Sequence, residues 1–409
     1  MQEAEREFNF SFKRTLFILL GHTKGNLKRL PFLLFILFLS YQGTTAQNKD
    51  TRPVKAFWVI RDRLTTKQSV TTVVETAKKY GFNHIFAQVR GRGDAYYNSE
   101  IVVRSPLVKG RNFDPLKVLI DQAHKENIKV HAWVNVYLLW SAEKKPVSKN
   151  HLLNQHPEWT ARAYGDVIDA KKSRRQFKLQ GSEGVYLSPG HPQVKKYLLA
   201  VFGELIDEYD IDGLHLDYVR YPGPEYGFNR AAMNSFRDET GVDPELFIES
   251  GAEISEVMGK ASVEAFERQW KNFKLRSISN LVIALKERIK ASGKTILLTA
   301  AVKPNPVSAR DQNYQNWVRW VMSGTLDYAV PMNYNADLTR FMKNLESILT
   351  LVPPDKLIMG IGAFNQNHFD VESKIYKSKS QGIGDFIFFS YNEILKEEEY
   401  MKAIQRALE

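Results

Sequence analysis

From residue 54 onward, apolar and polar positions follow two alternating rhythms. Short, nearly continuous apolar runs recur, and stretches of helical period fill the spaces between them. The runs are Ala56–Ile60, His84–Val89, Lys129–Tyr137, a stretch within Asp212–Pro222, Thr295–Val302, Leu326–Tyr334, Lys356–Gly362 and Gly384–Tyr391. Each reads as a strand. Helices are expected over Lys67–Tyr80, stopped by Gly81, and from Asp114-Pro115 to about Glu126, where Asp suits the N-cap and Pro the first turn. Further helices are expected over Gln193–Tyr209, Asn229–Glu239, Val263–Ala291, Asn313–Met322, Asp337–Thr350 and Val371–Lys379, with a last one closing near Leu408.

Eight strands alternating with helices predict an α/β fold, a (β/α)8 TIM-type barrel. Continuous apolar strands suit a parallel sheet covered on both faces. A doubly wound open sheet is the alternative, disfavoured because no Gly-rich phosphate turn follows the first strand. Two segments interrupt the rhythm. One is a long excursion between strand three and its helix, residues 138–193. The other is a long, mostly helical insertion between strands four and five, residues 223–295. A loop as long as the first is usually functional.

Ahead of the barrel, Lys28-Arg29, the apolar run Pro31–Leu39 and the small residues Thr44-Thr45-Ala46 form a secretory-signal pattern, with an apolar run too short to span a bilayer. The organisation expected is a leader over 1–46, a polar linker over 47–53 and a single barrel over 54–409. Residues 1–27 contain another basic–apolar run, so a start downstream of Met1 is one reading and an uncleaved anchor another. Either leads to export, to the periplasm or the cell exterior, and leaves room for transient membrane association through the leader.

The 409 residues are 43% hydrophobic and 12% aromatic, enough for a sizeable core. The net charge is +11; six basic and three acidic residues within 1–47 account for +3 and leave +8 on the rest. A basic surface suits anionic envelope polymers or membranes, and no nucleic-acid-binding motif accompanies it. With no cysteine, disulfides, thiolate catalysis, Cys-based zinc sites and lipidation through Cys are excluded.

Barrel enzymes place their chemistry where strands end. Strand four is unusual there. His215 and Asp217 alternate with Leu214 and Leu216, and Tyr218, Arg220 and Tyr221 follow before Pro222. So many ionisable groups are costly to enclose unless paired or used. The other strand ends offer Arg61, Gln88, Arg90, Arg92, Asp94, His131, Trp133, Asn135, Tyr137, Trp140, Lys303, Asn305, Asp311, Asn333, Tyr334, Tyr391 and Glu393. Amides and carboxylates bond sugar hydroxyls, and aromatic faces cover the apolar faces of sugar rings. Trp58, Trp317 and Trp320 read instead as core.

The runs Val89–Tyr97, Val130–Asn135, Tyr186–Gly190, Asp212–Pro222, Phe236–Gly241 and Pro331–Tyr334 resemble the bacterial glycosyl-hydrolase-like 10 family, and the resemblance covers most of the chain from about residue 54. It implies a TIM-type barrel, glycoside hydrolysis, and a cell-envelope polysaccharide as substrate, peptide-free peptidoglycan strands above all. A fainter similarity links Asp212, Gly213, Asp217, Met332 and Tyr334 to chitinase-type barrels. There Val219 stands where the acid Glu of that pattern would be, so a proton donor must come from another strand.

Glycoside hydrolysis normally uses two carboxyls. Asp217 is the first expected, as nucleophile or base, kept ionised by Arg220 or Arg90. Glu393 and Asp94 rank level as its partner, ahead of Asp311. Arg90, Arg92, His131, Trp133, Asn135, Tyr137, Trp140, His215, Arg220, Asn333, Tyr334 and Tyr391 are the substrate-binding candidates. No cofactor or metal is expected. Two other readings remain: a catalytically silent glycan-binding barrel, and a metal-dependent hydrolase built on His131, His215 and Asp217, although no metal-binding spacing supports it.

Overall fold

A computed structural model describes residues 52–409 of the protein. The leader and most of the linker expected from the sequence lie outside the described residues. Eight parallel strands, β1 (Lys55–Val59), β2 (His84–Arg90), β3 (Lys129–Asn135), β4 (Gly213–Asp217), β5 (Leu297–Val302), β6 (Tyr328–Pro331), β7 (Met359–Gly362) and β8 (Phe386–Phe389), lie side by side in one sheet. The sheet runs β6-β5-β4-β3-β2-β1-β8-β7. Its outer strands are joined by the parallel bridges Ala329–Leu357 and Met332–Gly360, so the sheet comes round on itself as a (β/α)8 barrel.

The strand residues sort by face. Phe57, Val59, Ile85, Ala87, Val89, Val130, Ala132, Val134, Leu214 and Leu216 join the main apolar core with the surrounding helices. Ala56, Trp58, Phe86, Trp133, Val330 and Ile387 form a second cluster. Their alternation with the first set places them inside the barrel. The polar residues of β4 share this inner face. His215 accepts from Trp58 Nε1 (3.1 Å) and pairs with Thr299 Oγ1 (2.8 Å). Burial lowers its pKa to about 3, so the ring is neutral. Since its Nε2 accepts, its Nδ1 carries the proton.

Below it, the His131 ring stacks on Phe86, with centroids 4.0 Å apart, and its Nε2 meets His84 Nδ1 at 2.8 Å. This explains Gly213. The Asp212-Gly213 pair reads as a turn, yet Gly213 is already the first residue of β4. A Cβ there would lie 2.0 Å from His131 Nδ1. Asp212 closes the base of the strand, bonding His124 Nε2 (2.7 Å), Lys129 Nζ (2.8 Å) and the Val130 N–H (2.8 Å).

Helix ends follow local chemistry. Thr66 and Ser69 form a reciprocal capping box, and Asp114 caps Pro115–Lys125 by accepting from the Lys117 N–H. The helix expected over Asn313–Met322 begins only at Trp317, because a separate helix, Pro306–Asn313, precedes it and ends where Tyr314 turns left-handed at φ 54°. Strands six to eight are shorter than their apolar runs, and Tyr391 begins a short helix instead of ending β8. The excursion contains a small antiparallel ribbon, Leu138–Trp140 with Val185–Tyr186. The insertion packs Phe236, Phe266, Trp270 and Phe273 into an aromatic core of its own, with the helix Lys260–Ser292 as its spine.

Gly213→Ala is expected to destabilise the barrel by about 1–3 kcal/mol, the usual range for overpacking. Denaturant unfolding measures this, and an unchanged midpoint would contradict the packing described.

Candidate active site

At the ends of the strands lies a cavity of about 480 Å³, walled by β1–β6, β8 and the excursion. Asp217, the last residue of β4, lines it and is buried. In register with it on β3 is Asn135. Tyr218 turns left-handed at φ 51°, a conformation rare for a non-glycine residue and typical of functional sites. That turn brings the Tyr218 N–H onto Asp217 Oδ1 (2.7 Å), while Trp133 Nε1 donates to Oδ2 (3.1 Å). Burial nevertheless dominates and pushes the Asp217 pKa up to about 6, against these two bonds and the Arg220 charge.

The second carboxyl in the cavity is Glu183, carried in by the excursion just ahead of the ribbon strand Val185–Tyr186. Arg220 Nη2 donates to its Oε1 (2.6 Å) and the Tyr186 hydroxyl to its Oε2 (2.8 Å). Burial works to raise this carboxyl. The Arg220 charge and the donated bonds outweigh it and hold Glu183 below the usual range. The ribbon behind Glu183 is fixed by close packing and by charge. A Cβ on Gly184 would sit 2.2 Å from the Trp140 carbonyl. Asp169 accepts from the Tyr186 N–H (3.0 Å) and pairs with the buried Lys172 (3.2 Å), which also holds Asp166 (2.8 Å).

The remaining wall carries amides, aromatic rings and the cations Arg61 and Lys303. Arg61 Nη1 donates to Gln88 (2.7 Å), Gln88 to Asn135 (3.2 Å), and Asn135 to the Gly91 carbonyl (2.7 Å). Tyr334 stacks on Phe389, with centroids 5.5 Å apart, beside Phe364. A larger groove, about 1120 Å³, runs between the outer helices Pro115–Lys125, Pro192–Glu208 and Lys260–Ser292 and contains no barrel-strand residue.

With this geometry in view, similarities to known proteins are informative. Residues 51–351 match the model of the family described as Glycosyl hydrolase-like 10. The chain belongs to that family. It is 24% identical over 327 residues to the glycosyl hydrolase YngK of Bacillus subtilis, covering 73% of this chain and 57% of that protein. It is 25% identical over 283 residues to the glycosyl hydrolase DigH of Escherichia coli K12, covering 66% of this chain and 58% of that one. The chain thus spans under two thirds of the length of these relatives. Among solved structures, the PgaB (BpsB) glycoside hydrolase domain from Bordetella bronchiseptica superposes with a TM-score of 0.65 at 13% identity, covering 87% of this chain and 99% of that domain. This likeness concerns the fold.

Of the residues singled out in this glycosyl hydrolase-like 10 chain, Asp217, Trp133, Asn135, Arg220 and Tyr334 line the cavity together, along with Arg61, Gln88 and Lys303 from the other strand ends. The two expected partners of Asp217 do not. Glu393 lies on a short helix after β8 and pairs with Lys396 (2.6 Å); Asp94 turns back to the Arg92 N–H (3.2 Å). Asp311 is bound by Arg310 and Lys271 (both 2.8 Å), and the Arg310 hydrogen bond leads in holding its pKa down to about 2.

Arg90 is fully buried behind the cavity wall and donates to the Asn135 carbonyl. The Arg220 charge does favour the ionised form of Asp217, as expected, but burial outweighs it there and Arg220 itself pairs with Glu183, while Arg90 is turned to the Asn135 carbonyl. Arg92 donates to Ser141 Oγ (3.1 Å) under Trp140, whose own Nε1 donates to the Lys144 carbonyl (2.8 Å). Tyr137 is core. Asn333 ties Phe341 and Asn344, and Tyr391 packs on Phe57. His131 and His215 lie inside the barrel below the cavity, and among the described residues no group of three His, Cys, Asp or Glu could hold a metal ion.

Trp58, read as core from the sequence, is buried and also lines the cavity. Glu183 escaped sequence reasoning because no periodicity marks it; the length of the excursion was the only signal.

Asp217 is protonated more readily in the folded protein than at its ordinary pKa of 3.8. The associated stability is fully present below that value and is lost as pH rises through about 6. Wild type should therefore lose stability relative to Asp217→Asn between about pH 4 and pH 7, by roughly 2–3 kcal/mol, since each tenfold change in proton affinity is worth about 1.4 kcal/mol. Chemical unfolding of both proteins across that range checks this, and parallel curves would contradict it.

Proposed function

We propose that the protein is a glycoside hydrolase whose working pair is Asp217 and Glu183. The observation that supports this most directly is the opposite displacement of two carboxyls in one cavity. Burial keeps Asp217 protonated to higher pH, and Arg220 keeps Glu183 ionised. Groups driven apart in this way take the acid and the base role. The protonated Asp217 gives its proton to the glycosidic oxygen as the bond from that oxygen to the anomeric carbon breaks. The Glu183 carboxylate either adds to the anomeric carbon or takes a proton from the water that does so. This replaces the role of nucleophile or base first expected for Asp217.

Gln88 and Asn135 supply amides for sugar hydroxyls, and Trp58, Trp133, Tyr334 and Phe389 supply ring faces. The substrate proposed is a bacterial envelope polysaccharide, with peptide-free peptidoglycan strands first. Family membership, relatives named as glycosyl hydrolases and the basic charge of the chain support it. Export fits the signal pattern in residues 28–46. Among the described residues no helix is long and apolar enough to cross a membrane.

Asp217→Asn and Glu183→Gln should each lower kcat/KM on peptide-free glycan strands by about 10²–10⁴-fold. Near-wild-type sugar release by either would overturn the pairing, and retained binding without any turnover in wild type would make this a glycan-binding barrel. The wild-type kcat/KM should fall as pH rises through about 6, as Asp217 loses its proton. It should also fall at acid pH as Glu183 gains one. A rate that continues to rise above about pH 7 would exclude Asp217 as the acid.

A further inference from the structure

The charge balance of the cavity is uneven. Three cations, Arg61, Arg220 and Lys303, line it with two carboxyls, and Arg92 stands just behind, bonded to the lining residue Ser141. Arg220 is matched by Glu183 (2.6 Å). The other carboxyl, Asp217, is the one that burial drives toward its neutral form. Among the described residues the Arg61 side chain donates only to the neutral amide of Gln88, and the Arg92 side chain only to the Ser141 hydroxyl. The Lys303 ammonium, at the end of β5, has no hydrogen-bond acceptor and no carboxylate within ion-pair distance among the described residues; only its backbone N–H is bonded, to Gln315 (2.9 Å).

The three lysines that are buried among the described residues are all partnered. Lys172 has Asp166 and Asp169, Lys274 has the carbonyls of Pro224 and Tyr226, and Lys374 has the Ala336 carbonyl and Gln366. Lys303 differs from them in facing a cavity. The cations there also oppose one another. The Arg220 charge is the leading cause that lowers the Lys303 pKa, and burial followed by the Arg61 charge lowers that of Arg92. Like charges left together in a partly enclosed site are relieved by an anion. A neutral sugar would need only the amides and rings already present.

We propose that the cavity holds a subsite for a carboxylate carried by the glycan, with Lys303 as the ion-pairing residue and Arg61 and Arg92 as the surrounding positive field. The proposal rests on the reading of this cavity as a glycan site. The carboxylate could belong to a lactyl ether on an amino sugar or to a uronic acid; both present the same charge to Lys303.

The test is calorimetric titration of the full chain with three disaccharides. The first is neutral, made of two N-acetylglucosamine units. The second pairs N-acetylglucosamine with N-acetylmuramic acid, and the third is a hexuronate dimer. One of the acidic ligands should bind about tenfold more tightly than the neutral one, about the effect of one charge-assisted bond; the arm that does so identifies the source of the carboxylate. Lys303→Met should abolish that preference and Lys303→Arg should keep most of it. Equal affinity for neutral and acidic ligands overturns the subsite while leaving the hydrolase reading intact. So does a Lys303→Met variant that loses affinity for all ligands alike. Absence of saturable binding by all three ligands would overturn the glycan site and this subsite with it.

Discussion

Enclosing the Asp217 carboxyl deprives its charged form of hydration, and the upper half of the barrel is arranged around that cost. The backbone turns left-handed at Tyr218 to bring an N–H onto the carboxyl, and the Trp133 indole supplies another donor. The Arg220 guanidinium also favours the charge, but it is paired with Glu183 and does not outweigh burial. The result is two carboxyls lining one cavity, one displaced toward its neutral form and the other toward its charged form.

This division depends on segments outside the eight-strand repeat. Glu183 sits on the excursion, where neither helix nor long strand sets its position. Its place is set instead by the ribbon with Leu138–Trp140, by the absence of a side chain at Gly184, and by the buried Asp169–Lys172 pair behind Tyr186. A buried ion pair adds little net stability against a packed apolar alternative, but it fixes geometry where charges must meet their partners. Within the barrel, polar interior residues do similar work. His215 links Trp58 to Thr299 across three strands, and His131 fills the space left by Gly213.

Much of the fold was legible because buried strands and amphipathic helices have different periods, and those periods are local. The eight strands, the alternating helices and the two long interruptions can all be read from the order of apolar residues. Boundaries were less legible. The apolar run at strand six continues past the strand to Tyr334, which lines the cavity, the run at strand seven begins ahead of its strand, and the run at strand eight extends to Tyr391, which packs in the core. Gly213 shows the same limit. A glycine after an aspartate signals a turn locally, while here a histidine on the neighbouring strand requires it.

The sequence by itself determined the barrel, the polar character of the β4 end and the prominence of Asp217, because each follows from residue order along one segment. Only the tertiary structure decided which carboxyl shares the cavity with Asp217, which way the pKa of each is displaced, and that, among the described residues, the Lys303 ammonium is left without a partner. Glu393 and Asp94 follow strands as suitably as any site residue, yet one is drawn to Lys396 and the other back to its own loop. Glu183 follows no barrel strand and reaches the cavity. Proximity between distant segments and the degree of burial set these outcomes, and neither is a property of a stretch of chain read alone.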